Sequence, residues 1–237
     1  MNKSESKKGK KIALVAVFVM LIFVFAFGGY SFAKYTTKGT GTDSASVAAW
    51  GIKVTANNTG NFKTQYESDD RTLQVSAIDS TKVVAPGTSG SMTLAISGSA
   101  EVAVGFKMKF SAKKDISAKY GTNKEYHPLK FKLSVKGEDA ALAEGSLKEI
   151  EKYVADLGTG YIRTYGVNYN FDINPVEYTL SWEWAFFTDA DTDILDTAIA
   201  ANDKTAMVGE DAVSEINQEV AFTWALTVDQ INNYTAA

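Results

Sequence analysis

Cysteine is absent from all 237 residues, histidine occurs once, at position 127, and proline only three times. The lack of cysteine excludes disulfides and thiolate metal sites, so the fold must rest on its packed core, on a metal or on assembly. One histidine cannot furnish the usual ligand set of a catalytic zinc, and His-Glu-x-x-His does not occur. His127 reads as a loop residue just before Pro128, with no nucleophile motif beside it to suggest a catalytic triad. No catalytic residue is assigned, and a non-enzymatic protein is expected. A second long apolar run and a Leu-Pro-x-Thr-Gly sorting signal are missing too, so any attachment to a cell wall is expected to be non-covalent.

The single long apolar run is therefore informative. Lys7, Lys8, Lys10 and Lys11 precede an unbroken apolar stretch from Ile12 to Phe27, followed by Gly28-Gly29 and then Ser31-Phe32-Ala33. As a helix, residues 12–33 would reach about 33 Å, enough to span a bilayer core of about 30 Å. The flanks favour cleavage: Ser31 and Ala33 are small residues at the −3 and −1 positions of a signal peptidase site, which makes Lys34 the new N-terminus. The alternative is an uncleaved anchor of the same topology, lysines inside. Either way, residues 34–237 are expected to be secreted or displayed at the cell surface, with residues 12–33 the only membrane contact.

Residues 1–33 hold five lysines and one glutamate, leaving 19 basic and 27 acidic residues beyond them and a net charge of −8. Such a balance argues against nucleic acid as a partner. Residues 34–46 are small and polar and read as a flexible arm before a single domain spanning 47–237.

Within that domain, period-two alternation dominates. Ile52 and Val54, then Met92, Leu94 and Ile96, then Val102 to Phe110, then Phe131, Leu133 and Val135, then Val176 to Phe186, and finally Val220 to Val228 each put apolar side chains on one face. Pro86-Gly87 suits a type II turn, and Gly98-Ser99 predicts a hairpin joining the runs on either side. Between residues 146 and 158 the period changes. Ser146 and Glu149 form a capping-box pair, Leu147, Ile150, Val154 and Leu157 recur three or four apart, and Gly158 stands at the C-cap, which predicts a short amphipathic helix lidding a sheet structure. A second helix is expected near 193–201. About eight strands without regular crossover helices predict an all-β fold, an antiparallel β-sandwich that is jelly-roll-like with one or two short helices. Trp182, Trp184 and Trp224 share faces with Leu, Val and Phe and are expected in the core rather than as a sugar-stacking platform.

Asp189, Asp191 and Asp193 alternate like the opening of a calcium loop, although Ile194 stands where such a loop needs glycine and Ala200 where it needs glutamate. Calcium is the only cofactor this pattern suggests, against the alternative of a solvated or helix-capping loop.

Several local features together carry a family resemblance. They are Phe-Ala-Lys-Tyr at the end of the apolar segment, Ala45-Ser46-Val47-Ala48-Ala49-Trp50, Val83-Val84-Ala85-Pro86-Gly87-Thr88-Ser89-Gly90-Ser91 followed by Glu101-Val102, Trp182-Glu183-Trp184, and Asp191-Thr192-Asp193-Ile194-Leu195. The chain resembles the TasA and camelysin group of exported proteins of Gram-positive bacteria, in which cysteine is commonly avoided. The resemblance implies a signal peptide removed by a dedicated signal peptidase and a jelly-roll-like secreted domain. On the TasA side it implies a biofilm matrix fibre subunit whose freed N-terminal segment completes a neighbour's sheet. Lys34, Tyr35, Val47 and Ala48 bound and anchor the corresponding donor segment, whose alternative is an unstructured arm. The camelysin side implies a metalloprotease, which the single histidine does not support. Self-assembly, or binding to other matrix or wall components, is the partner expectation. A secreted module binding wall glycan or a surface partner, without polymerisation, is the alternative function.

Overall fold

A computed structural model describes residues 36–40, 45–46, 51–57, 61–67, 74–76 and 82–232. All of these fall in one compact unit, Tyr35–Ala237. Ser31, Ala33, Lys34, Tyr35, Val47 and Ala48 lie outside the described residues.

Two antiparallel sheets enclose the core. The first has the order β1 (Thr36–Thr40), β18 (Ala221–Gln230), β8 (Val104–Lys114) and β13 (Arg163–Tyr165). The second has the order β12 (Ala143–Gly145), β11 (Leu129–Val135), β15 (Val176–Trp184), β6 (Ser89–Ser97), β3 (Lys53–Asn57) and β2 (Ala45–Ser46). The alternation seen in the sequence is the division between faces. In β11 and β15 every second residue, from Leu129 to Val135 and from Val176 to Trp184, is buried. Register stacks these positions in rows, Leu133 opposite Leu180 opposite Met92, and Phe131 opposite Trp182 opposite Gly90. Phe106, Trp224, Leu226 and Val228 supply the facing layer, and Phe106–Tyr178 and Phe131–Phe222 ring contacts, 6.5 and 6.0 Å between centroids, join the two sheets. All-β sandwich architecture follows directly, and Trp182, Trp184 and Trp224, each no more than 4% exposed, belong to its core.

A flanking sheet contains β10 (Lys124–Tyr126), β9 (Ser117–Tyr120), β17 (Asp211–Asn217) and β16 (Met207–Val208). Short pairs join β14 (Tyr169–Asn170) to β7 (Ser99–Ala100) and β4 (Gln65–Glu67) to β5 (Gln74–Ser76). Helix α1 (Leu147–Asp156) buries Leu147, Ile150 and Val154, the stripe its sequence spacing predicts. The Ser146 N–H donates to Glu149 Oε2 at 2.7 Å, completing the N-terminal cap. Glycine is required just before it, because Gly145 has φ +141° and a Cβ there would stand 2.0 Å from Glu149 Oε2. Helix α2 (Ala190–Ala201) begins earlier than its apolar spacing indicates, since Asp189 caps it.

Three expectations are corrected. Gly98-Ser99 does not form a hairpin: β6 and β8 lie in different sheets. Gly98 has φ +93° and packs so closely on Gly51 that a Cβ would sit 1.8 Å from the Gly51 carbonyl oxygen, so the chain turns across the sandwich instead of folding back in plane. The last buried residue of the β15 run is Trp184, and Phe186 is 71% exposed, because the strand ends before the loop leading to α2. The polar stretch 36–46, expected as an arm, carries the two strands β1 and β2. Threonine suits extended backbone, and an open sheet edge supplies the hydrogen-bond partners that this stretch lacks internally. By contrast the Pro86-Gly87 turn is present: Gly87 has φ +84° and the Thr88 N–H reaches the Ala85 carbonyl at 3.0 Å.

Candidate assembly edge

The four-stranded sheet has two flanks of different construction. On one, β13 pairs with Val104, Gly105 and Phe106 at the start of β8. Further along β8, Glu151 of α1 accepts the Ala112 N–H at 3.2 Å, so a helix side chain caps an edge that has run out of strand. On the other flank β18 pairs with β1 alone: Thr36 opposite Asp229, Thr37 opposite Val228, Lys38 opposite Thr227, Gly39 opposite Leu226 and Thr40 opposite Ala225. The positions of β1 in register with the core-facing Val228 and Leu226 are thus threonine and glycine.

The start of this pairing abuts a fixed polar cluster. Asp229, 4% exposed, pairs with Lys107 Nζ at 3.1 Å and accepts from the Tyr161 hydroxyl at 3.5 Å. Lys107 also lies 4.6 Å above the Tyr161 ring centroid. The Tyr161 ring covers Gly105, where a Cβ would come within 2.4 Å of it, so only glycine admits the ring. Hydrogen bonding to Asp229 holds the Lys107 amine above its usual pKa. Alternation alone marks Asp229 as outward-facing, yet it is buried beside Lys107 and Tyr161, the latter far away in sequence.

Other singled-out residues sit elsewhere. Asp189 is the N-cap of α2, its Oδ1 accepting the Thr192 N–H at 2.8 Å, and this hydrogen bond holds its carboxyl below the usual range. Asp191 and Asp193 occupy the first helical turn, where carboxylates complement the helix dipole. Among the described residues no group of three or more His, Asp or Glu side chains is arranged to hold a metal ion. His127 is in a loop, yet its side chain is only 14% exposed. Nδ1 is 3.0 Å from Asp115 Oδ2 and Nε2 is 3.5 Å from Glu125 Oε2. A histidine beside a buried aspartate has the makings of half a nucleophile-activating arrangement, but no hydrogen bond joins Nδ1 to Asp115 and the second nitrogen meets a carboxylate instead of a hydroxyl. Burial pushes Glu125 up, but Lys148 at 3.1 Å and His127 outweigh it and hold it below its usual range.

Sequence reading missed the buried Asp196 of α2, which accepts the Tyr126 hydroxyl at 2.9 Å. Its position between Leu195 and Ala198 on the apolar face of α2 is the signal that could have found it. Among the described residues no helix is long and apolar enough to cross a membrane. No family model, no curated protein and no solved structure matches the chain.

Proposed function

We propose that the chain is a secreted structural subunit of a cell surface or extracellular matrix, assembling by exchange of its N-terminal strand. The observation that carries this reading is the pairing of Thr36–Thr40 with the outer edge of β18. Ordering a residue costs about 1–2 kcal/mol of backbone entropy, and a backbone hydrogen bond returns a net of about 0.5–1.5 kcal/mol. A five-residue edge strand with threonine and glycine in register with Val228 and Leu226 is close to balance and can leave. The edge it vacates then offers the same N–H and C=O groups to the same segment of another copy. Export through residues 1–33, with cleavage after Ala33 freeing Lys34, places the donor segment at the new N-terminus.

Electron microscopy of protein beginning at Lys34 tests the proposal. Filaments are expected, and a chain carrying Thr37→Pro and Lys38→Pro, of which one must remove an amide directed at β18, is expected to form none. Filaments of equal length and number from that variant would overturn strand exchange.

The alternative, a wall-glycan binding module, has one observation in its favour: an open trough of about 660 Å³ on the outer face of the six-stranded sheet. Ser89, Ser91 and Ser181 are in its lining, with Lys130 and Lys132 beside Glu144 and Glu183. Hydroxyls and alternating charges of both signs suit a polar saccharide. Binding of soluble wall glycan that is lost in Lys130→Ala with Lys132→Ala would favour this reading over assembly.

A further inference from the structure

Helix α2 lies on the flanking sheet, against β9, β16 and β17. Leu195, Ala198 and Ile199 form its inward face, as an amphipathic helix requires, but the fourth buried residue of that face is Asp196, 6% exposed. A buried carboxylate is costly as an anion unless a cation or several donors compensate it. Asp196 has no ion pair among the described residues; its hydrogen-bond donor is the Tyr126 hydroxyl of β10, 2.9 Å from Oδ1. The surrounding charges bring no relief. No basic residue occurs between Glu183 and Lys204, and Asp191 and Asp193 precede Asp196 on its own helix. In the flanking sheet Lys119 is engaged with Glu215 at 2.8 Å and Lys124 with Asp211 at 2.6 Å, while the His127 nitrogens face Asp115 and Glu125. Strand β16 supplies only Met207 and Val208. Burial pushes the Asp196 carboxyl above its usual range; Trp184 and Tyr126 offset part of this, and Asp193 adds to it. At the helix start the Thr192 N–H displaces Asp189 the opposite way, so the cap stays ionised while Asp196 takes its proton. Burial, with the Asp196 charge beside it, also pushes the Tyr126 hydroxyl up, which keeps it a donor throughout.

We propose that α2 is a proton-responsive lid on the flanking sheet, held down more firmly when Asp196 carries a proton and loosened when it is ionised. With α2 docked, Asp196 is out of water; with α2 lifted, it regains the hydration of an ordinary aspartate. The docked form therefore binds the proton more readily. Docking strengthens as pH falls through the docked value, and that contribution is lost as pH rises through it. Lifting would uncover Leu195 and Ile199, so the lid controls access to an apolar face of the domain. The device is independent of the N-terminal strand and of assembly.

Amide exchange of protein beginning at Lys34, expressed as protection factors from about pH 4.5 to about pH 8, provides the test. Across that range the α2 amides are expected to lose roughly threefold or more in protection relative to the β8 amides paired with β18, one pKa unit being worth a factor of ten. Asp196→Asn keeps an acceptor for Tyr126 and cannot ionise, so α2 is expected to hold one level of protection throughout. Asp191→Asn, in the exposed first turn, is expected to keep the parent's profile, which separates titration of Asp196 from a general effect of negative charge on the helix. Tyr126→Phe removes the donor from the buried carboxylate and should steepen the profile. Equal α2 protection at both ends of the range in the parent, or a profile that Asp196→Asn retains, would overturn the proposal.

Discussion

The two flanks of the four-stranded sheet solve the same edge problem with different materials. The β13 and α1 flank is closed by buried side chains: Ile150 and Leu147 are fully inaccessible, and Glu151 caps the remaining edge amide. The β1 flank is closed by a five-residue strand whose inward register positions are threonine and glycine. Apolar burial contributes roughly 25 cal/mol per Å², and the sequence Thr-Thr-Lys-Gly-Thr brings no large apolar side chain to draw on it. An edge covered by a helix with a buried stripe is expected to open only with the core, whereas an edge closed by a short polar strand is proposed to be conditional. This difference is the physical basis of the assembly proposal.

Breaking the anchored flank should produce the largest effect. Ile150→Ala is expected to cost about 2–5 kcal/mol, the range for emptying a fully buried aliphatic site, read as a lowered urea midpoint. Gly145→Ala comes next, expected to cost about 1–3 kcal/mol through a strained φ and displacement of the Glu149 cap, measured by thermal melting.

The cap also gives this flank a pH signature. The Ser146 backbone N–H holds Glu149 below its ordinary value of 4.5. Because the folded pKa is depressed, the carboxylate's contribution is fully present above the unfolded value and is lost as pH falls through the folded one. Glu149→Gln should therefore melt below the parent at pH 7 and converge with it below pH 4.5. At the conditional flank, Thr37→Ala is expected to change monomer stability by less than about 0.5 kcal/mol in the same melts, as for a surface position.

How much of this was legible in advance follows from which forces are local. Strand faces and helix α1 were, because period-two and period-three-to-four burial are written in neighbouring residues such as Val176 to Trp184 and Leu147 to Val154. The crossing at Gly98 was not, since the close approach of Gly51 is a tertiary contact that no local pattern records. Thr36–Thr40 read as an arm for a related reason: its partners are nearly two hundred residues away on β18, and its own side chains carry no strand alternation. The acidic run was ambiguous between calcium loop and helix start until Asp189 was seen accepting the Thr192 N–H.

Amide hydrogen exchange on monomeric protein beginning at Lys34 tests the contrast between flanks most directly. The account predicts that Thr36–Thr40 exchange through local opening, at least a hundredfold faster than the amides of β8 paired with β18. Protection of Thr36–Thr40 equal to that of β8, lost only on global unfolding, would contradict it.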